Sequence, residues 1–171
     1  MTTYTGSADG LPVFRVARLD DPESLRLLAD YESELAEQGI VLDRHEGGGV
    51  GVEEMVVPEG AFLLVELDHD VVACGGIRRL SEDIAEIKRM YVAPTARGRG
   101  IARALLARLE NEACALGCRV ARLDTGRDMV AALTLYREVG YREIPDYNGN
   151  PHAAHWMEKA LQEELPPIDH P

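Results

Sequence analysis

The sequence predicts a single α/β domain with a central, mixed and mostly antiparallel sheet flanked by helices. Three apolar runs follow one another with only short turns between them, which predicts an antiparallel meander. The third run leads through a glycine-rich turn into an amphipathic helix and then another strand, the pattern of a β-α-β unit. With 171 residues, the chain is long enough for one domain with a proper core and too short for two of ordinary size.

The first elements are a strand and a helix. Residues 14–19 alternate like a strand, and Asp21 followed by Pro22 predicts a helix start. We expect this helix to run from residue 22 to residue 38, to end at Gly39 and to bury one stripe of side chains. The predicted stripe consists of Leu25, Leu28, Tyr31 and Leu35. The glycine-rich segment 47–51 has no clean period and is predicted to be a mobile loop, with a short helix as an alternative.

The meander and the β-α-β unit occupy the middle of the chain. Two apolar runs, 61–67 and 71–80, are separated by Asp68-His69-Asp70, which is a hairpin signal, and 86–92 is the third strand. The next helix is predicted to end at Gly117, before a strand at 119–124. Its buried stripe is predicted to be Ile101, Leu105, Leu109 and Ala113.

The last elements are a helix and two strands. Asp128 is placed to cap a helix in which Met129, Leu133 and Tyr136 share a face, and Gly140 closes it. Strands are predicted after Gly140 and around residues 154–159. We expect a disordered lead-in at residues 1–12, the folded domain at 13–161 and a flexible tail at 162–171.

The composition excludes several classes of protein. The chain has 30 acidic and 18 basic residues, a net charge of -12, which argues against general affinity for nucleic acid. No apolar run approaches the length of a membrane span, and the N-terminus lacks the basic start and apolar stretch of a secretory signal, so we expect a cytoplasmic protein. Three cysteines without a C-x-x-C pair, and scattered histidines, argue against a disulfide framework and a metal site.

A strongly basic segment surrounds the glycine-rich turn. From Lys88 to Arg108 the chain has six basic residues and no acid, a local excess of +6. Gly98 and Gly100 let the backbone approach an anion, and the helix that starts near Ile101 points its unpaired N–H groups at the same place. We therefore predict a diphosphate site. Its residues are Arg97, Gly98, Arg99, Gly100, Ile101, Ala102 and Arg103.

Other interpretations of this turn are weaker. A dinucleotide-binding turn would need its third glycine at position 103, which is Arg103, and would follow the first strand of a parallel sheet instead of a hairpin series. Asp124 ends the next strand at a suitable distance for a ribose contact, so this alternative stays open. A phosphate loop of the nucleotide hydrolases is excluded, because the chain has no Gly-Lys-Ser or Gly-Lys-Thr. A plain turn with solvated arginines is disfavoured by the acid-free segment.

Two motifs in order resemble the GNAT superfamily of acyl-CoA-dependent N-acetyltransferases. The first is Arg97-x-x-Gly100-x-Ala102, and the second runs from Ala132 through Leu135-Tyr136 to Gly140-Tyr141. The resemblance covers residues 14–161. It implies a central sheet splayed at strand 86–92, acetyl-CoA as acyl donor without a metal, and a primary amine of a small molecule or peptide as acceptor. It also implies direct attack in a ternary complex.

Attack of an amine on a thioester needs a neutral amine, a polarised carbonyl and a proton for the departing thiolate. With a pKa of about 10.4, only about one alkylamine in a thousand is neutral at pH 7. By resemblance, Glu86 matches the glutamate that in some members removes this proton through a water. An exposed strand-end carboxylate paired with an arginine is an equal alternative. Tyr136 fits the general acid, with a core tyrosine as its alternative.

The resemblance also implies roles for main-chain groups. The backbone N–H of Met90 is expected to polarise the carbonyl, and the backbone of Val92 to pair with the pantetheine arm. The chain departs from the family at Met129, where many members have an Asn that touches the coenzyme. Residues 146–152, rich in hydrogen-bonding groups, are either part of the acceptor pocket or an ordinary turn.

The preferred function is therefore acetyl transfer from acetyl-CoA to an amine. The rival is a non-catalytic acyl-CoA-binding or sensor domain, which would keep the diphosphate site but have no use for Glu86 and Tyr136. Family members often pair through exposed strands or helices, so a homodimer is open. The acids outside the basic segment predict a cationic acceptor. They include Glu32, Glu34, Glu37, Asp43, Glu46 and Asp146.

Overall fold

One mixed sheet of seven strands organises the part of the chain that the computed structural model describes, residues 10–41 and 51–161. The predictions for residues 1–9, for the glycines at 47–49 and for the tail at 162–171 lie outside the described residues. Three α-helices accompany the strands. In chain order the elements are β1 (Val13–Ala17), α1 (Pro22–Glu37), β2 (Gly60–Leu67), β3 (Asp70–Arg79), β4 (Ile84–Val92), α2 (Ile101–Ala115), β5 (Val120–Thr125), α3 (Val130–Glu138), β6 (Arg142–Ile144) and β7 (His155–Ala160).

The strand order in the sheet is β1-β2-β3-β4-β5-β7-β6. All neighbouring strands are antiparallel except β4 and β5, which run parallel because α2 carries the chain back between them. The predicted fold class is confirmed, including the meander of β2, β3 and β4. The hairpin between β2 and β3 closes through Asp68 and His69, both with positive φ, so that Leu67 pairs with Asp70.

The helices cover opposite faces of the sheet. The predicted stripe of α2 is confirmed, because Ile101, Leu105, Leu109 and Ala113 are all buried in a core that also contains Tyr136 of α3. The other core contains Leu27 and Leu28 of α1. The sheet therefore has an α2 face and an α1 face.

Two expectations about the helices were wrong. Leu25 is 49% exposed, and Ser24 and Leu27 are buried instead. The buried face of α1 is therefore rotated away from Leu25 and includes Ser24 and Leu27. Ser24 could not reveal this rotation, because a serine is not counted in an apolar stripe. Asp128 does not cap α3: the amide of Met129 donates to the carbonyl of Gly126, so Asp128 lies in a turn, and Met129 precedes the first helical residue without a side-chain cap.

Within the described ranges, no helix is long and apolar enough to cross a membrane.

Candidate active site

The site lies where β4 and β5 separate. Their backbone pairing covers only residues 84–86 of β4 with 120–122 of β5, whereas β4 continues to Val92. A bulge interrupts β4 after Lys88. Lys88 pairs with Gly76 of β3 and Tyr91 pairs with Cys74, so β4 advances by three residues where β3 advances by two. Arg89, with φ of 57°, is the irregular residue. A bulge re-aims the side chains that follow it and leaves backbone groups outside the ladder.

The turn before α2 has the geometry expected of an anion site. Gly98 and Gly100 have φ of 74° and 78°, a conformation that L-residues rarely adopt, and a Cβ built on either glycine meets nothing within 4 Å. No side chain caps α2, whose first helical hydrogen bond runs from the amide of Ala104 to the carbonyl of Gly100. The amides of residues 101–103 are therefore available to an anion.

A cavity of about 690 Å³ opens against this turn, within the usual size of a small-molecule site. Residues from β4, the glycine turn, α1 and α3 line it. It brings together Tyr136 and all but one of the residues predicted to bind the coenzyme. Those lining residues are Met90, Val92, Arg97, Gly98, Gly100, Ile101, Ala102 and Arg103. Arg99 does not line the cavity, and its guanidinium lies 3.4 Å from a carboxylate oxygen of Asp68.

The arginines of the turn already have acidic partners. Arg97 is 2.6 Å from Glu34 of α1 and donates to the carbonyl of Val92, and Arg103 pairs with Glu138 of α3. The local excess of positive charge in the sequence is therefore balanced in space by carboxylates from distant segments. These pairs are about half exposed, and exposed ion pairs are weak, so an anionic ligand can replace the carboxylates.

Tyr136 is buried and lines the cavity, so the alternatives of core tyrosine and site residue both describe it. Burial raises the pKa of its phenol well above the usual range. The phenol therefore stays protonated at neutral pH. Its ring packs against Tyr141, with centroids 5.9 Å apart.

Glu86 is not the exposed strand-end carboxylate of the second alternative. It is fully buried and does not line the cavity. The expected arginine partner is present: Arg78 donates to Oε2 over 2.7 Å. The other oxygen accepts from Tyr147 over 2.8 Å and from Asn148 over 3.1 Å, and the Lys88 ammonium lies 3.2 Å away. Its role as a base stays a prediction.

The structure adds polar residues that the sequence interpretation missed. Lys88 was counted in the basic segment, but its ammonium lies 2.6 Å from Asp124, on the α1 face. Asn148 and Asn150, from the segment between β6 and β7, also donate to Asp124. One signal was available: Glu86 and Lys88 alternate with apolar residues on a strand, which places two charged side chains on one face.

Met129, the position at which the chain departs from the family pattern, lines the cavity. Many members of the family have an Asn at this position. Among the residues that the structure describes, no group of three or more His, Cys, Asp or Glu side chains could hold a metal ion.

Comparison with known proteins identifies the family. A model of the acetyltransferase (GNAT) family matches residues 18–141, and the chain belongs to this family. An IAA acetyltransferase of Azospirillum brasilense is 39% identical over 93 residues, which are 54% of this chain and 61% of that protein. The uncharacterized N-acetyltransferase YjgM of Escherichia coli is 30% identical over 145 residues, 80% of this chain and 84% of its own.

Solved structures agree on the fold. A putative acyl-CoA N-acyltransferase from Klebsiella pneumoniae superposes with a TM-score of 0.71 at 26% identity, covering 89% of this chain and 99% of its own. The PaiA N-acetyltransferase from Thermoplasma acidophilum, solved in complex with coenzyme A, has a TM-score of 0.68 at 18% identity and covers 88% and 99%.

Proposed function

We propose that this protein transfers an acetyl group from acetyl-CoA to a primary amine of a small molecule or peptide, by direct attack while both are bound. One observation carries the proposal: a single cavity holds the uncapped start of α2, its two left-handed glycines and the buried phenol of Tyr136. The helix start and the glycines are suited to binding a diphosphate, and the phenol is suited to protonating a departing thiolate. Membership of the acetyltransferase family supports the same reaction class.

The diphosphate would be held at the turn. Gly98 and Gly100 allow its close approach, the free amides of residues 101–103 donate to it, and Arg97 and Arg103 exchange their carboxylate partners for it. Arg99, outside the cavity, contributes only its charge. The backbone of Val92 would pair with the pantetheine arm, because β4 extends beyond its pairing with β5.

The bound thioester supplies an activated acetyl group, and residues of this chain carry the charge and the protons. The Met90 N–H, in the bulge, would donate to the carbonyl oxygen as negative charge develops there. Tyr136 would protonate the departing sulfur. Glu86 would receive the amine proton through a water, which has to displace Tyr147 or Asn148 from Oε1.

Direct attack is favoured over a cysteine-bound acetyl group. None of the three cysteines lines the cavity. Cys74 is buried in the α1-face core, and burial raises the pKa of its thiol to about 12. A thiol with this pKa is almost entirely protonated at pH 7 and is a poor nucleophile.

Initial rates over a grid of acetyl-CoA and amine concentrations test the proposal. Direct attack predicts double-reciprocal lines that converge, because both substrates are bound before any product leaves. Parallel lines would indicate a covalent acetyl-enzyme and contradict direct attack. Coenzyme binding without turnover of any amine in a broad panel would support the rival, a non-catalytic acyl-CoA-binding or sensor domain.

A further inference from the structure

The opening between β4 and β5 begins directly after three paired positions. The last backbone pair is Glu86 with Arg122. Ala85 and Ile87, and likewise Ala121 and Leu123, are buried in the α2-face core. Side chains alternate along a strand. The α1 face therefore receives Glu86 and Lys88 from β4, and Arg122 and Asp124 from β5.

Beyond the last backbone pair, a contact between side chains joins β4 and β5. Lys88 and Asp124 lie two residues beyond the last backbone pair on their respective strands. The Lys88 Nζ and the Asp124 Oδ2 are 2.6 Å apart, and each side chain is only 10% exposed. The ion pair therefore spans the inner end of the opening and joins β4 to β5 there.

Asp124 also holds the segment between β6 and β7. The Asn148 side-chain amide donates to Oδ2 over 2.6 Å, and that of Asn150 donates to Oδ1 over 3.0 Å. The Asn148 oxygen accepts from the Trp156 indole over 2.9 Å. Asp124 thus accepts from two separate parts of the chain. We call Lys88, Asp124, Asn148 and Asn150 the Asp124 network.

The charges of this region favour a structural tie over a binding site for a charged ligand. The buried carboxylate of Glu86 and the nearly buried one of Asp124 face two cations, Arg78 and Lys88, over distances of 2.6 to 3.2 Å. The exposed Glu54 pairs with Arg78 as well, at 2.8 Å. Buried charges need partners, and here the chain supplies them. Each of these charged groups therefore has a partner of opposite sign within the chain.

We propose that Asp124 is a positioning residue, which through Lys88 fixes the width of the opening between β4 and β5 and through Asn148 and Asn150 holds the 146–152 segment against it. This inference rests on the proposed function, because the opening is where the acetyl group and the amine would meet. Met90, which would polarise the carbonyl, lies two residues beyond Lys88 on β4. A change in width would therefore move the Met90 N–H relative to the attacking amine.

The test compares Asp124→Asn with a matched control, Asp83→Asn. Asp83 and Arg119 form an ion pair at the closed end of the same two strands, where the Asp83 carbonyl also accepts from the amides of Arg119 and Val120. We expect Asp124→Asn to lower kcat by up to about 100-fold, since a misplacement of roughly 1 Å can cost that much. The Kd for coenzyme A should stay near the wild-type value. Asp83→Asn should leave both unchanged.

Trp156, the one tryptophan of the chain, reports on the network without turnover. In Asp124→Asn its fluorescence should shift to the red and become easier to quench with acrylamide, because Asn148 loses the nearer of its two carboxylate acceptors and keeps only Glu86. A shift in fluorescence with an unchanged kcat would overturn the positioning role, as would equal losses of kcat in the control. Unchanged fluorescence and kcat together would overturn the network itself.

A second pair of variants covers a failure of Asp124→Asn to fold. Lys88→Arg keeps the ion pair and should retain most of kcat, whereas Lys88→Met removes it and should reproduce the loss. Equal activity of these two variants would also contradict the proposal. A wild type that acetylates no amine would refute the proposed function alone, while Trp156 quenching still tests the tie between Asp124 and Asn148.

Discussion

Burial keeps the phenol of Tyr136, the proposed acid of this site, in its protonated form. Tyr136 is buried at the cavity wall, and burial raises the pKa of its phenol above the ordinary value of about 10. A raised pKa disfavours the phenolate, so the proton is present at every pH below the raised value. The loss of activity that accompanies ionisation of this acid should therefore begin only above about pH 10.

Replacement of Tyr136 by Phe tests the general acid. We expect kcat to fall about 100- to 10,000-fold, the usual cost of removing a proton-transfer group, with coenzyme affinity near normal. Tyr141→Phe is the matched control, because its hydroxyl donates to Glu110 over 3.0 Å and does not line the cavity. A wild-type rate in Tyr136→Phe would mean that water or another group protonates the thiolate.

The assignment of Glu86 as the base can be tested with a series of amines that differ in pKa. If Glu86 removes the amine proton, Glu86→Gln should lower the rate most for amines with a high pKa and least for those that are already neutral. The rise of rate with pH should also flatten. A loss that is the same for all amines would point to a purely structural role, consistent with the four donors around its carboxylate.

At the level of elements, the start of α2 is the feature on which coenzyme binding depends. Gly100→Asp places a carboxylate where the diphosphate would lie, and should weaken coenzyme binding by about 1 to 4 kcal/mol, the repulsion of unit charges roughly 4 Å apart. Gly117→Asp is the control, because Gly117 has φ of 85° after the other end of the same helix. Titration calorimetry on the folded variants measures the affinity of each for the coenzyme. Equal affinities in the two variants would exclude the turn as the diphosphate site.

The contact between α1 and the glycine turn should compete with the coenzyme. Glu34 holds Arg97 in an exposed ion pair, so Glu34→Gln should free the arginine and tighten coenzyme binding. Exposed pairs contribute about 0.2–1 kcal/mol, which corresponds to a Kd lower by roughly 1.5- to 5-fold. Glu37→Gln, on the same helix but outside the cavity lining, is the control. Weaker binding in Glu34→Gln would show that the pair supports the site.

Elements with a regular pattern could be predicted from the sequence, and irregular or long-range features could not. Periodicity and glycines give the bounds of α2 to within two residues, and the turn at Asp68 gives the hairpin. The bulge in β4 has no such signal, because Arg89 adopts a positive φ without being a glycine. The pairing of Lys88 with Asp124 depends on the register of two strands separated by a helix. Local spacing does not encode that register.

At the level of the whole molecule, the net charge of -12 bears on the choice of acceptor. Some acids behind this expectation already have partners: Glu34 pairs with Arg97, and Asp146 accepts from the amides of Asn148 and Gly149. Asp43 and Glu46 lie outside the described residues. The prediction therefore rests on the overall field, which attracts cations.

Matched cationic and anionic amines test this preference. We expect a higher kcat/KM for the cationic amine at low salt and a smaller difference at high salt, because ions screen charges over about 10 Å at 0.1 M. Such a decrease of the difference with salt would identify a long-range electrostatic field as the cause of the preference. A ratio that does not respond to salt, or a preference for the anionic amine, would remove the field as a determinant.

The central claim is that one cavity binds acetyl-CoA and passes its acetyl group to an amine. It is tested most directly by measuring, in one reaction, the coenzyme thiol released and the acetylated amine formed, across a panel of amines. We predict equal amounts of the two products, release that depends on the amine, and loss of both products in Tyr136→Phe. Thiol release that is independent of every amine, or none at all from a protein that still binds acetyl-CoA, would contradict the claim.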